Sequence, residues 1–291
     1  MKRTTGEKIF NVFNIIFLLL FAFTTLYPFL YMLSISLSSA AEASSGGFHL
    51  YPKDISFTAY KMVFKNDNLI IAYANTIFRT VAGTLLGLLV TCFYGYALAR
   101  EETPHKKFFT TVLVFTMLFN GGKIPTYLVL KQYHLLDNRW VYILPMLISA
   151  YNVIVSRAFF MSIPNSLNEA AKIDGAGEFR IFFKIIVPLS KPIIMTIALF
   201  LAVAHWNTWY DSLMYITDNN KIVVQVLLQR IIQESDVTLI TQGMINPDAT
   251  EFTSSTVKAA TVIVAILPIL IFYPFIQKYF TKGMMIGAVK G

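Results

Sequence analysis

The sequence has little of what soluble enzymes use. It contains one cysteine, so no disulfide can form within the chain, and its four histidines lack the spacing of a metal site. Charged residues make up only 14% of the chain, against about 25% in an average soluble protein. No G-x-x-x-x-G-K-[ST] phosphate-binding loop and no nucleophile triad is present. We therefore predict no catalytic residue, no metal and no cofactor in this chain.

Apolar residues are abundant, at 56% of 291. About 20 consecutive apolar residues suffice to cross a bilayer as a helix. The first such run resembles a secretory signal, but it is too long for a signal core and contains Pro28, so we expect it to be retained. We predict an all-α, multi-pass protein of the bacterial cytoplasmic membrane with six transmembrane helices, at about Phe10–Leu37, Leu69–Ala99, Phe108–Leu130, Trp140–Phe160, Pro192–Ile216 and Thr256–Tyr279.

The basic residues set the orientation of these helices. With the N-terminus inside, the cytoplasmic segments hold fourteen Lys and Arg and the outer segments hold eight. The positive-inside rule favours this arrangement, with both termini cytoplasmic, and no nucleic-acid partner is needed to explain the net charge of +8. The expected divisions are an N-terminal helix (1–37), an outer loop (38–68), a five-helix core (69–280) with a cytoplasmic loop (163–191) and an outer loop (217–255), and a cytoplasmic tail (281–291).

The cytoplasmic loop carries the most specific pattern in the chain. It predicts two short helices joined at Asp174-Gly175, because glycine tolerates the left-handed conformation that ends a helix. Ser166 and Glu169 have the spacing of a capping box at the start of the first helix. The second helix has an apolar stripe and ends near a proline, with the residues Phe179, Phe182, Phe183, Ile186 and Pro188.

This loop resembles a known motif. The order Glu169-Ala170-Ala171, Gly175, Ile185 and Val187-Pro188 is similar to the cytoplasmic loop of permease subunits of bacterial ABC importers, with Val in place of Leu. Its extended form resembles that of the maltose-type (MalG-like, carbohydrate uptake type 1) sugar permeases. That extended form covers Ser162–Ala176, and the ending Gly287–Gly291 also resembles that of the maltose-type permeases. Three further segments resemble the YtcP/LplC-type branch, which is associated with pectin-derived oligosaccharides: Phe119–Tyr127, Leu135–Asp137 and His205–Trp209.

The resemblance implies a type I ABC importer permease fold and a set of partners. The expected partners are a second, homologous permease subunit, two ABC ATPase subunits that hold ATP and Mg, an extracytoplasmic substrate-binding protein near loop 217–255, membrane lipid and an oligosaccharide. It also implies ATPase coupling through Glu169, Ala170, Ala171, Asp174 and Gly175, and ATPase contact by the tail residues Gly287, Ala288, Val289 and Lys290.

Polar residues at membrane depth are the candidates for a substrate path. Arg79 is near the midplane of the second helix with Asn75 one turn away, and a buried arginine costs about 2.5–3.5 kcal/mol on insertion scales. Arg79 either lines a path for a polar substrate or forms a salt bridge inside the bundle. The third helix is interrupted near Asn120 and Pro125, as is tolerated where backbone lines a cavity.

The fifth helix holds an aromatic and polar cluster, His205–Asp211. Trp206 and Trp209, spaced i and i+3, are predicted to share a face with Tyr210 and to stack on sugar rings. The alternative for this cluster is an aromatic belt at the membrane interface. For Asn152, the alternative to a place in the path is a hydrogen bond between helices. The predicted path residues are Asn75, Arg79, Asn120, Lys123, Tyr127, Asn152, His205, Trp206, Asn207, Trp209 and Tyr210.

The predicted function is a permease subunit of an ATP-driven ABC importer for oligosaccharides, with pectin-derived or other uronate-containing glycans as one candidate class of substrate. It would form half of the translocation path. Arg79 and Lys123 would suit an anionic sugar, whereas a neutral glycan would need only the aromatic residues. A secondary transporter or channel is one alternative, but it usually has an internal repeat, and the sequence shows no convincing one. The second alternative is a structural membrane subunit without a substrate path. Co-purification with an ATPase would distinguish the importer from both alternatives.

Overall fold

A computed structural model describes residues 4–45, 47, 49–65, 67–233 and 253–288, the last 17 of these by their backbone only. Helices dominate, and the described residues contain no β-structure beyond one bridge between Ser38 and Ile55. The chain divides into two units, residues 1–67 with 228–268 and residues 68–227 with 269–291. The helices in order are α1 (Thr5–Ser36), α2 (Ala40–Ser44), α3 (Thr58–Phe64), α4 (Leu69–Ala99), α5 (Lys106–Leu118), α6 (Lys123–Gln132), α7 (Ala150–Met161), α8 (Asn165–Ile173), α9 (Glu178–Ile181), α10 (Val187–Leu189), α11 (Lys191–Asn207), α12 (Tyr210–Tyr215), α13 (224–233) and α14 (Ser254–Ala288).

Candidate membrane spans among the described residues number three to six. Three are single helices, Thr5–Ser36, Leu69–Ala99 and Ser254–Ile271. Three more are pairs of consecutive helices that qualify only together and are bent by 118°, 50° and 85°: Lys106–Leu118 with Lys123–Gln132, Arg139–Met146 with Ala150–Met161, and Glu178–Leu189 with Lys191–Asn207.

The predicted fourth and fifth transmembrane helices are each interrupted. The fourth begins as two 3₁₀ turns, Arg139–Tyr142 and Leu144–Met146, where Pro145 cannot donate a backbone hydrogen bond. The fifth ends at Asn207, because Thr208 adopts an extended conformation, and the chain becomes helical again at Tyr210. The predicted sixth helix is longer than expected, since α14 continues from Ser254 to Ala288.

In the first unit, α1 begins with a capping box in which the Thr4 and Glu7 side chains each accept a backbone hydrogen bond from the other residue. Beyond α1, the Glu42 carboxylate accepts the backbone N–H groups of Lys53 and Asp54 at 2.8 and 2.9 Å. These bonds lower the pKa of Glu42. The apolar side chains between Ile9 and Phe29 are largely exposed within the unit, as a membrane-spanning helix requires.

In the second unit, α4 packs against α7 and α11 through three glycines. An added Cβ at Gly83 or Gly95 would overlap a side chain of the facing helix, and one at Gly87 would lie 3.3 Å from a leucine. Small residues of this kind allow membrane helices to approach closely. The facing residues are His205 and Leu201 of α11, opposite Gly83 and Gly87, and Ser156 of α7, opposite Gly95.

The predicted cytoplasmic end of α4 carries an apolar core that joins α7, α8, α9 and the turn after it. The ring of Phe93 stacks on Phe182 with centroids 4.6 Å apart. This packing anchors loop 163–191 to α4. The buried members of the core are Cys92, Tyr96, Phe160, Ala171, Ile181, Phe182 and Ile186.

Candidate functional site

The first helix of loop 163–191, α8, ends as the sequence predicts. Asp174 is its C-cap, and Gly175 has φ +76°, in the left-handed region. The Gly175 N–H donates to the Lys172 carbonyl at 3.0 Å. A Cβ at Gly175 would meet nothing within 4 Å, so the backbone conformation alone demands glycine within this chain.

The predicted capping box at Ser166 is wrong. The N-cap is Pro164, two residues before Ser166, so the helix begins at Asn165 and has no side-chain cap. Glu169 instead accepts a hydrogen bond from the Asn165 amide at 2.8 Å. Pro164 has φ −57° and presets the start of the helix, which places Ser166 inside the first turn.

Four of the five predicted coupling residues lie on an open face. Glu169, Ala170, Asp174 and Gly175 are exposed, whereas Ala171 is buried in the core at the end of α4. Ile173 continues the open face and is 87% exposed.

The apolar stripe of the second helix is partly wrong. Phe179 and Phe183 are exposed, while Ile181, Phe182 and Ile186 are buried. The cause is a π-helical turn over Phe182–Ile186, which replaces the expected α-helical period. A π-turn is wider than an α-turn because its hydrogen bonds join residues five apart, which shifts the buried face to Ile181, Phe182 and Ile186.

Four charged side chains link α4, α8 and α9, and we name Arg100, Glu102, Lys172 and Glu178 the charge cluster. Arg100 lies 2.9 Å from Glu102 and 3.3 Å from Glu178, and Lys172 lies 3.4 Å and 3.2 Å from the same two carboxylates. The Tyr96 hydroxyl donates to Glu178 at 3.1 Å. The cluster therefore fixes both sides of the turn at Gly175 to the end of α4.

The charges of the cluster also set how Glu102 titrates. The Arg100 guanidinium, with the hydrogen bond from Lys172, lowers the pKa of Glu102. The folded-state pKa thus lies below the unfolded value of about 4. The contribution of Glu102 is present at neutral pH and is lost only as the pH falls through the lowered value.

Arg79 forms the salt bridge that was one of its two predicted roles. Its guanidinium is fully buried and donates to both carboxylate oxygens of Asp211, at 3.1 and 2.6 Å. It also donates to the Thr208 carbonyl at 2.8 Å and lies 4.7 Å from the centroid of the Tyr142 ring. In this conformation Arg79 does not face an open path, and Asp211 is the residue that the sequence reasoning missed.

The predicted shared face of Trp206, Trp209 and Tyr210 is wrong. The helix ends at Asn207, so the i, i+3 relation does not hold across the break. Trp206 is buried, with its ring centroid 6.5 Å from that of Tyr73. Trp209 is exposed and lies edge-on to Tyr210 at 6.2 Å.

The break in the third helix does bring predicted residues together. Gly122 has φ +88°, and its N–H donates to the Asn120 side chain at 2.8 Å. The Lys123 ammonium lies 3.7 Å from the centroid of the Tyr210 ring, a cation–π contact. The ring of Tyr127 is 6.2 Å from that of Tyr215.

The remaining path residues do not converge on that group. His205 is buried opposite Gly83, and the Asn207 amide donates to the Val203 carbonyl of its own helix. Asn152 is buried in the first turn of α7. Asn75 donates to the carbonyls of residues 220 and 222, so it holds the segment that follows α12.

Two predicted regions lie partly outside the described residues. Of the tail residues, Gly287 and Ala288 end α14, while Val289 and Lys290 are outside. In the outer loop, residues 234–252 are outside. At the start of that loop, Ile222, Val223 and Val224 are buried.

Comparison with known proteins gives consistent matches over the whole chain. The family model described as "Binding-protein-dependent transport system inner membrane component" matches residues 1–286. Protein LplC of Bacillus subtilis is 41% identical over 100% of this chain and 98% of its own length. The polygalacturonan/rhamnogalacturonan transport system permease protein YtcP of the same organism is 40% identical over 98% and 99%.

Solved structures agree with these relatives. A chain in the crystal structure of a bacterial ABC transporter involved in the import of the acidic polysaccharide alginate superposes with a TM-score of 0.85. It is 35% identical, and the match covers 96% of this chain and 99% of that one. The chain therefore has the ABC importer permease fold and belongs to the family of binding-protein-dependent transport system inner membrane components.

Proposed function

We propose that the chain is a permease subunit of an ATP-driven importer for acidic oligosaccharides in a bacterial cytoplasmic membrane. The full-length match to a chain of an alginate importer, at a TM-score of 0.85 and 35% identity, is the observation that carries this. The name of YtcP also specifies uronic-acid polymers. The chain spans the membrane six times with both termini inside, and it pairs with a second, homologous permease.

ATP and Mg are held by two separate ATPase chains, which dock on the open face of α8. Glu169 and Asp174 offer acceptors there, and Ala170 with Gly175 allows close approach. The tail, Gly287–Lys290, adds a second ATPase contact. Because Ala171 and the charge cluster attach the loop to α4, a displacement of α8 is transmitted to that helix.

The transport cycle is alternating access. Closure of the ATPases on ATP moves α8, the bundle opens outward, and a binding protein delivers the oligosaccharide. A chain in the crystal structure of a bacterial alginate ABC transporter in complex with an alginate pentasaccharide-bound periplasmic protein shares the fold, at a TM-score of 0.56 and 17% identity. Hydrolysis resets the bundle inward. Lys123, Trp209 and Tyr210 are the path residues that the broken helices bring closest together. Tyr127 lies one turn from Lys123 on α6, with its ring beside that of Tyr215.

The test is oligosaccharide-stimulated ATPase activity of the reconstituted complex. Gly175→Val is expected to lose stimulation at least tenfold, because a β-branched residue does not tolerate φ +76°. Gly175→Asn is the matched control, since asparagine tolerates this region. If only Gly175→Val loses the stimulation, the effect is due to the helix stop. If both variants lose it, the effect is due to direct contact with the ATPase.

Equal stimulation in wild type and Gly175→Val, in complexes of equal assembly, would refute coupling through this loop. Failure of any ATPase to co-purify would favour the secondary transporter or the structural subunit. An ion gradient that drives uptake without ATP would then separate those two.

A further inference from the structure

A cavity that no sequence motif indicated lies at the opposite end of the second unit from α8. Its volume is about 720 Å³, within the range of small-ligand sites. Its walls come from the second and third turns of α4, from residues 137–140 and from Lys221. In the proposed orientation this end is extracytoplasmic. The residues that the argument uses are Asn75, Phe78, Asn138, Arg139, Trp140 and Lys221.

The cavity has two basic residues, Lys221 and Arg139, and only Lys221 is engaged in ion pairs within the fold. Lys221 is paired with Asp137 at 3.6 Å and with Asp218 at 3.2 Å. The Asp137 carboxylate also accepts the backbone N–H groups of Asp218 and Thr217, which lowers its pKa and keeps it ionised and occupied. Arg139 is exposed and has no ion-pair partner in the described part of the chain.

The other basic residues first considered for an acidic sugar are already occupied. Arg79 is fully buried and bound to Asp211, and the Lys123 ammonium lies on the Tyr210 ring. An exposed guanidinium is also the better partner for a carboxylate, because its planar donors bind both oxygens.

Beside Arg139 stand an aromatic ring and an oriented amide. Trp140 is 44% exposed, and Phe78 holds its indole edge-to-face with ring centroids 6.2 Å apart. The Asn138 side-chain oxygen accepts a hydrogen bond from the backbone N–H of Trp140 at 3.1 Å, which leaves the NH₂ group of Asn138 available to a ligand. A guanidinium, an exposed ring and an amide together suit a sugar that carries a carboxylate.

We propose that this cavity is an outer subsite for one uronate unit of the transported oligosaccharide. Arg139 binds the carboxylate, Trp140 contacts the apolar face of the sugar ring, and Asn138 donates to a hydroxyl. The inference rests on the proposed function and adds to it a site for acidic substrates ahead of the membrane path.

The experiment uses the whole complex with its binding protein in proteoliposomes and compares uptake of trigalacturonate with that of its fully methyl-esterified form. Arg139→Gln is expected to raise the KM for the acidic form about tenfold and to leave the esterified form within twofold. Lys131→Gln, an exposed basic residue outside the cavity, is the matched control and should change neither. Trp140→Ala is expected to raise both KM values equally, because ring stacking does not depend on the carboxylate.

Several results would overturn the subsite. Equal losses for both sugars in Arg139→Gln would indicate a contact with the binding protein. A loss that appears only in liposomes of anionic lipid, and not in phosphatidylcholine, would indicate lipid headgroup binding. An unchanged KM, or the same loss in Lys131→Gln, would also refute it.

Uptake by the wild type distinguishes failure of the subsite from failure of the proposed importer function. If the wild type imports trigalacturonate with ATP and Arg139→Gln is unaffected, only the subsite fails. If the wild type imports neither sugar, the proposed function fails, and the subsite fails with it.

Discussion

Arg79 and Asp211 form a pair in which each residue depends on the other. Removal of one partner leaves a buried charge, which typically costs 3–5 kcal/mol, whereas apolar replacement of both is often tolerated. We expect Arg79→Met to lower the thermal stability and yield of the complex strongly, and Arg79→Met with Asp211→Leu to restore much of both. Fluorescence-detected gel filtration after heating measures this. A double variant no better than the single one would contradict the pairing.

Gly83 is expected to tolerate no side chain, because a Cβ there would overlap the buried ring of His205. Gly83→Ala should therefore reduce assembly of the complex, by the same assay. Gly6→Ala is the control, since a Cβ at Gly6 would meet nothing within 4 Å. Partial recovery in Gly83→Ala with His205→Ala would confirm that the ring is the obstacle, and no recovery would place the fault elsewhere.

Individual residues could be predicted from the sequence where a local physical requirement selects one residue type. Gly175 was predicted from the conformation that a helix stop requires, and the structure confirms it. Arg79 was identified because burying an arginine in a membrane costs free energy. Its partner Asp211 was not identified, because the sequence alone does not show which carboxylate lies beside Arg79 in the fold. The three glycines of α4 were missed for the same reason, since their facing residues come from α7 and α11.

At the scale of elements, the charge cluster is expected to affect coupling more than stability. Exposed ion pairs contribute typically below 1 kcal/mol each, but Lys172 holds the carboxylates of both Glu102 and Glu178. We expect Lys172→Gln to reduce oligosaccharide-stimulated ATPase activity two- to fivefold with basal activity unchanged. Lys184→Gln, an exposed lysine of the same loop without an ion pair in the described chain, is the control.

The charge cluster also allows a reversal test. Lys172→Glu alone should impair stimulation, and Lys172→Glu with Glu178→Lys should recover part of it. A double variant as impaired as Lys172→Glu would show that the ion pair is not what transmits the motion.

Element types were predicted better than their interruptions. The two short helices of the cytoplasmic loop and the break near Gly122 follow from glycine and proline positions. The π-turn at Phe182–Ile186 and the extended residue Thr208 have no such signal, because tertiary contacts determine them: core packing on α4 for the first, and the Arg79 hydrogen bond to the Thr208 carbonyl for the second. The predicted faces of both helices failed at these points.

At the scale of the whole molecule, the six-span topology is testable with the single cysteine. Cys92 is buried, so Cys92→Ser gives a background without thiols. We expect a membrane-impermeant maleimide to label Tyr51→Cys in whole bacterial cells, with the outer membrane opened if there is one. It should label Ser166→Cys only after the cytoplasmic membrane is permeabilised, and the reverse pattern would refute the orientation.

The bond from Arg79 to the Thr208 carbonyl, together with its pair to Asp211, bears on how this family varies. One side chain neutralises an acid and satisfies the backbone at a helix break, so neither partner can change alone without loss. Lineages that replace the arginine should therefore also have replaced the acid, and those that keep both should keep the break between α11 and α12. Across many homologous sequences, the two positions are expected to vary together more strongly than their neighbours.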